Sequence, residues 1–223
     1  IKTPIYSKKY DHDALVININ HKKNHKNTAY ELFYETGPLA ILPMQNNNKK
    51  LFSSSVIWSS PSLYASSIKN SHPDFLKYVL EQKIINYTGE ITKINNVQKF
   101  NLSAHINSKF YEERIVYIGD SAHSIHPIAG QGWNLGIRDI KNILSSINEA
   151  TNLGLDIGQE FVCKKYNDLS FYDSFLLYQI TDKFNLIFLN DGFLTSLARK
   201  KGFKLIENNK LIKNYISGFA MGI

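Results

Sequence analysis

The sequence predicts a mixed α/β chain, α+β in the order of its elements, and three observations carry that expectation. Residues 1 to about 110 read as short β-branched or aromatic segments separated by polar loops, the pattern of an antiparallel sheet. Residues 115–118 form an unbroken apolar run that stops at Gly119-Asp120 and leads through a polar loop into a helical pattern. From about residue 157 onward, apolar residues recur at helical spacing. The expected organisation is a sheet region over 1–110, a strand–loop–helix unit over 111–150 and a helical region over 151–223.

Within the first region the expected strands are Ala14–Ile17, Ala29–Tyr34, Leu39–Pro43 and Phe52–Trp58, with a hairpin turn at Gln45–Asn48 between the last two. Two helical pieces follow, Ser62–Ile68 and Pro73–Ile84, the second opened by a proline suited to a first helical turn. Residues 97–107 return to strand. Ile115–Ile118 then reads as a buried parallel strand, because nothing polar interrupts it. Ile140, Ile143, Leu144 and Ile147 fall at i, i+3, i+4 and i+7, one face of a helix that starts near Gln131 to Asn134. The last region should hold at least two helices, broken around Asn190-Asp191-Gly192.

The strand–loop–helix unit is where a ligand belongs. In open α/β sheets the crevice lies beyond the carboxyl ends of the strands, where Asp120 stands after Gly119. The glycine-rich turn Gly130-Gln131-Gly132-Trp133-Asn134 feeds the helix N-terminus, whose unpaired amides and positive dipole end favour an anionic or electron-rich ligand edge. Gly130 and Gly132 leave that approach clear, and Asn134 is placed to cap the helix or donate to the ligand. Gly130, Gly132 and Gly136 give G-x-G-x-x-x-G rather than the dinucleotide fingerprint, and no G-x-x-x-x-G-K-[ST] occurs. The turn therefore serves another part of a cofactor.

Composition fits a globular protein with a sizeable core: 223 residues, 43% of them hydrophobic. The net charge of +7 comes from dispersed lysines, 23 against 3 arginines, with no basic block beyond His21-Lys22-Lys23 and Arg199-Lys200-Lys201. This points away from nucleic acid and towards, at most, attraction to an anionic membrane surface. The lone Cys163 excludes an intrachain disulfide and a cysteine-based metal site and suits a reducing cytosol. No run of about 18 apolar residues occurs.

Plainer readings compete at several positions. His123 and His126 have H-x-x-H spacing, but a third ligand at motif spacing is missing, so no metal is expected. Asp120, Ser121 and His123 are too close in sequence to face one another as a triad, and G-x-S-x-G is absent. His123 is more simply a residue that holds its loop by hydrogen bonds. Trp133 either stacks beside the ligand or fills core. The aromatics of residues 161–193 read as a helix packed on the sheet, or more sharply as an apolar face for membrane or a lipid-handling partner.

Gly119-Asp120-Ser121-Ala122-His123, then Pro127, then Gly130-Gln131-Gly132-Trp133-Asn134-Leu135-Gly136 and Arg138-Asp139, resembles the second flavin motif of FAD-dependent aromatic hydroxylases, most of all those of ubiquinone biosynthesis. Gly37-Pro38-Leu39-Ala40-Ile41-Leu42-Pro43 resembles a further segment of that family, as do Thr181-Asp182, Arg199 and Ala220-Met221-Gly222. The family's N-terminal strand, G-x-G-x-x-G turn and Asp-Gly motif have no counterpart here, and the chain opens on Ile1. The resemblance therefore implies the C-terminal portion of a longer hydroxylase.

It also implies a fold like that of p-hydroxybenzoate hydroxylase, with 1–110 as the substrate domain whose sheet roofs the pocket and 111–150 as the second part of the FAD-binding domain. By the same resemblance the cofactor-binding residues are Gly119, Asp120, Pro127, Gly130, Gln131, Gly132, Trp133 and Asn134. Asp120 would accept from the ribityl hydroxyls and Pro127 would pack near the ring. The amides of Gly130 to Asn134 would point at the pyrimidine edge, where negative charge gathers on reduction. The implied partners are NAD(P)H or a partner reductase as electron donor, dioxygen, a polyprenyl phenol and a biosynthetic protein complex. The implied location is cytoplasmic, peripheral at the inner membrane. No side chain is singled out as a catalytic base. The family's arginines in the helix near 166–173 are replaced here by Tyr166-Asn167-Asp168-Leu169-Ser170-Phe171-Tyr172-Asp173, which leaves any contact they make in question. A hydroxylase of another aromatic substrate and a non-catalytic fragment or scaffold of the same fold stay open.

Overall fold

A computed structural model describes residues 4–45 and 51–189, together with isolated positions between 208 and 218. Two compact units emerge, one of residues 10–102 and one of residues 1–9 with 103–223. The elements are β1 (Ile5–His21), β2 (Tyr30–Tyr34), β3 (Gly37–Met44), β4 (Phe52–Pro61), α1 (Ser62–Lys69), α2 (Pro73–Thr88), β5 (Ile91–Asn107), β6 (Tyr111–Glu112), β7 (Ile115–Val116), β8 (His123–Ser124), α3 (Gly132–Asn152) and α4 (Glu160–Leu189). The long strands β1 and β5 have residues in both units.

In the unit of residues 10–102 the strands run in the order β2-β3-β4-β1-β5. The pairs β2–β3, β3–β4 and β1–β4 are antiparallel. Their register lines up Leu15, Trp58 and Leu39 in one row across the sheet, and Ile17, Val56 and Ile41 in the next. Side chains two apart on a strand share a face, so these rows make one apolar surface. Ala65 and Ile68 of α1 and Leu76, Leu80 and Ile84 of α2 complete the core on that surface. The α2 residues recur every four positions, as a helix lying on a sheet requires. His72 caps α2, its side chain accepting from the Asp74 amide, and Pro73 opens it.

The strands expected at Ala14–Ile17 and 97–107 are present but extend well beyond those limits. The N-terminal part of β1 and most of β5 are polar and exposed, so they carry no burial signal that a sequence reading can detect. The turn expected at Gln45–Asn48 falls mostly outside the described residues.

In the other unit, β8 pairs with the end of β5, His105 opposite Ser124 and Ile106 opposite His123. Its core gathers Ile106, Phe110, Ala122 and Tyr166, and a second cluster joins Ile125, Leu135 and Leu177. Lys8 pairs with Asp182 at 2.5 Å and ties the start of β1 to α4. Helices α3 and α4 are linked by Arg138–Asp173 at 2.7 Å, by Asn142 donating to the Ser170 hydroxyl at 2.9 Å, and by Lys165–Glu149. The α3–α4 contact thus has its arginine on α3, paired with an acid on α4, while Lys165–Glu149 runs the other way.

One expectation needs correcting. Ile115–Ile118 is not a buried parallel strand: only Ile115–Val116 is strand, paired antiparallel with β6, and Ile115 is 51% exposed. No parallel neighbour lies beside it among the described residues, and its polar groups are satisfied locally instead. The Tyr117 amide donates to Phe110 O, and the Tyr166 hydroxyl donates to Tyr117 O. In the helical region α4 is a single helix to Leu189, and the break expected at Asn190-Asp191-Gly192 lies outside the described residues.

Gly37 begins β3 at φ +122°, and a Cβ there would stand 2.3 Å from the Ser59 carbonyl oxygen of β4. Backbone conformation and backbone contact both exclude a side chain. Gly37→Ala should therefore lower stability by about 1–3 kcal/mol or more, read by chemical denaturation. An unchanged midpoint would contradict the close approach of this turn to β4.

Candidate functional site

The sequence between Ile118 and Asn134 folds as two short 3-10 turns, Gly119–Ser121 and Pro127–Ala129, with β8 between them. The first turn closes on itself: the Ile118 amide donates to Ser121 Oγ at 2.9 Å, and that hydroxyl donates back to Ile118 O at 2.8 Å. Asp120 sits at its crest with its side chain exposed. The second turn is opened by His126, whose Nδ1 accepts from the Ile128 amide at 3.2 Å. It ends at Gly130 in the left-handed conformation, φ +59°, which directs the chain into α3. Pro127 is exposed on this turn.

Helix α3 starts at Gly132, and its first intrahelical bond is Leu135 N to Gln131 O at 3.0 Å. The amides of Gly132, Trp133 and Asn134 precede that bond and so point out of the helix start. The N-cap residue Gln131 makes no side-chain capping bond. Asn134 instead donates through Nδ2 to Gln131 Oε1 at 3.0 Å, so the two polar side chains of the turn brace each other. Trp133 is 79% exposed, which removes the core-filling reading for it.

The glycines test whether a ligand fits here. A Cβ at Gly130 or Gly132 would meet nothing within 4 Å. Gly130 has a backbone reason to be glycine. Gly132 has none: it is the first residue of a 21-residue helix, where glycine is a weak helix former, and no neighbour among the described residues needs its space. The open space in front of the exposed amides suits a group held by backbone donors, and the residues present fit the electron-rich edge of a flavin.

What ties the first turn and β8 to α3 is a residue to which the sequence reading gave no role. Asp139, buried on α3, accepts through Oδ2 from the Gly119 amide at 2.9 Å and from His123 Nε2 at 2.8 Å. A carboxylate oxygen can only accept, so the imidazole donates through Nε2. His123 is buried beside Phe110, ring centroids 5.4 Å apart, and holds its loop as expected. Gly119 in turn lies against Gly136, one helical turn into α3, which brings the Asp120 crest alongside the start of the helix. Burial, with Asp139 nearby as the next cause, pushes the Tyr166 phenol above its ordinary range. It therefore stays protonated as the donor that anchors Tyr117. The signal available in sequence was the spacing Leu135-Asp139-Ser146-Ala150, a helix stripe on which an acid is out of place unless bonded.

Gly119 and Asp120 are thus brought to the end of α3 by contacts from Asp139 and Gly136, and the loop from Pro127 to Asn134 lies there because it runs directly into the helix. Asp139→Ala would remove the shared acceptor and leave the Gly119 amide and His123 Nε2 without it. The expected cost is about 1–3 kcal/mol, visible as a lower melting temperature, and an unchanged melting curve would contradict the shared role.

Residues 3–153 match the family described as FAD binding domain. The ubiquinone hydroxylase UbiL of Rhodospirillum rubrum is 30% identical over 213 residues, which are 96% of this chain and 48% of that protein. The 3-demethoxyubiquinol 3-hydroxylase of Escherichia coli is 23% identical over 98% of this chain and 54% of its own length. The chain spans about half the length of the curated relatives it matches. Among solved structures, p-nitrophenol 4-monooxygenase PnpA from Pseudomonas putida shares the fold at a TM-score of 0.69 and 10% identity, over 99% of this chain and 55% of its own. The family match takes in the Asp120 turn, the Pro127–Asn134 loop and the whole of α3: the chain belongs to the FAD binding domain family.

Proposed function

We propose that these residues are the C-terminal part of an FAD-dependent monooxygenase that hydroxylates the aromatic ring of a polyprenyl phenol in ubiquinone biosynthesis. The observation that carries the flavin site is the open space before Gly132, faced by the amides of Gly132, Trp133 and Asn134 and flanked by the Asp120 crest. The substrate class rests on the names of the two hydroxylases above, which match this chain over nearly its whole length.

In this reading Gly119 and Asp120 meet the ribityl chain, Asp120 accepting from its hydroxyls. Gly130 and Gly132 clear the way for the pyrimidine edge, and the amides that follow stabilise negative charge there. Gln131 and Asn134 brace that turn, Pro127 packs near the ring, and Trp133 offers a face beside it. Bound FAD would supply the electron transfer and the activation of dioxygen, with electrons from NAD(P)H or a partner reductase. Residues 1–110 serve as the substrate domain, 111–150 as the second part of the flavin domain and 151–223 as a helical region. Among the described residues no helix is long and apolar enough to cross a membrane. The lysine-rich surface and the exposed Phe161, Tyr172 and Phe184 of α4 support a peripheral contact at the inner membrane, within a biosynthetic assembly.

FAD titrated into the purified chain should be bound, read by quenching of flavin fluorescence. Gly132→Leu should weaken that binding at least about tenfold, because its side chain fills the ligand's space. The melting temperature should hold or rise, because leucine is the better helix former. Binding that ignores Gly132→Leu would remove this site.

A further inference from the structure

The side chain of Asp120 is exposed, so its aim depends on how the residues on either side of it are held. Before it, the Gly119 amide is fixed by Asp139 of α3. After it, the anchor comes from β5. That strand pairs with β8, His105 opposite Ser124 and Ile106 opposite His123. The Asn107 amide adds the next rung, donating to Ala122 O at 2.9 Å. There the ladder runs out, because the Ser108 amide turns away to Pro4 O at 2.8 Å and β5 has ended. The carbonyl of Ser121 lies one step beyond the last rung. The side chain of Asn107 reaches it instead, Nδ2 donating to Ser121 O at 2.9 Å.

Asn107 is fully buried. A carbonyl oxygen only accepts, so the amide nitrogen has to face Ser121 O. The side-chain oxygen is then buried with no hydrogen bond among the described residues. An unpaired buried acceptor is unfavourable, and an apolar residue would not carry one. Packing alone therefore does not account for an asparagine here, whereas the bond to Ser121 does. That bond fixes the Ser121–Ala122 peptide from one side, and the Ala122 amide, donating to Gly119 O at 2.8 Å, fixes it from the other. The turn is pinned at both outer peptide planes, by Asp139 and by Asn107, with Asp120 between them. We propose that Asn107 is a positioning residue for the flavin site, which sets the direction in which Asp120 meets the ribityl chain. The ligand's identity rests on the flavin reading above.

The test compares two flavins that differ in the part Asp120 meets: riboflavin carries the ribityl chain, and lumiflavin has a methyl group in its place. Each is titrated into the purified chain and read by flavin fluorescence. Asn107→Ala should weaken riboflavin about fivefold or more, while lumiflavin holds within about twofold. Asp120→Ala should show the same pattern. Adding Asn107→Ala to it should cost riboflavin nothing further, because the one residue acts through the other. Without flavin, hydrogen exchange at the Ala122 amide should quicken about tenfold in Asn107→Ala, and exchange at the Leu135 amide of α3 should not. Asn107→Ser, whose side chain is too short to reach Ser121, gives the same readings if the alanine variant fails to fold. Equal loss of both flavins, or additive losses in the double variant, makes Asn107 a general structural residue and overturns the proposal. So does unchanged exchange at Ala122. Wild-type protein that binds neither flavin removes the flavin site and the proposal with it. Wild-type binding of both that Asn107→Ala leaves untouched removes the proposal and keeps the site.

Discussion

The Oδ2 atom of Asp139 accepts from two parts of the chain at once, the Gly119 amide 20 residues before it and His123 Nε2 16 residues before it. Without that shared acceptor, the buried His123 donor and the part-buried Gly119 amide would lose their partner, a cost comparable to a lost hydrogen bond for each. The Asp120 crest, the β8 pairing and the lead into α3 all hang on this point. A polar contact of this kind does more than a hydrophobic one of equal strength, because its direction is fixed. It sets which way the 3-10 turn faces as well as how near it lies.

Around that contact the local chemistry is economical. Ser121 closes the first turn with its own hydroxyl, His126 opens the second with its own ring nitrogen, and Gln131 and Asn134 tie the start of α3. The loop therefore keeps its shape by contacts within itself, which leaves the amides of Gly132, Trp133 and Asn134 facing outward. The proposed flavin site needs that combination of held backbone and outward-facing donors. The bare side of α3 follows a different logic. Ile137, Ile140 and Leu144 stand about half-exposed there, while Ile143 beside them packs against the cluster of Phe110 and Tyr166.

Much of this was legible in residue order. Helical spacing located α3 and α4, prolines and polar loops bounded α1 and α2, and the order Gly-Asp, Pro, Gly-x-Gly marked the ligand end of the unit and the hydroxylase family. These signals are local: each depends on residues a few positions apart, whose relation is set by the backbone period. The long polar parts of β1 and β5 escaped notice because exposed strands carry no alternation of burial.

Tertiary structure alone decided what those local signals touch. Periodicity shows that α3 has an apolar face but not whether this chain covers it, and here the packed stripe is the more polar one, with Asp139 at its centre. The parallel strand expected at Ile115–Ile118 failed for the same reason. A strand's character is written in its own residues, while its neighbour is set by whatever packs beside it. So the sequence by itself determined most of the elements and the family. The fold added the buried carboxylate that aligns the site and the exposed face beside it, because both depend on contacts between residues that only packing brings together.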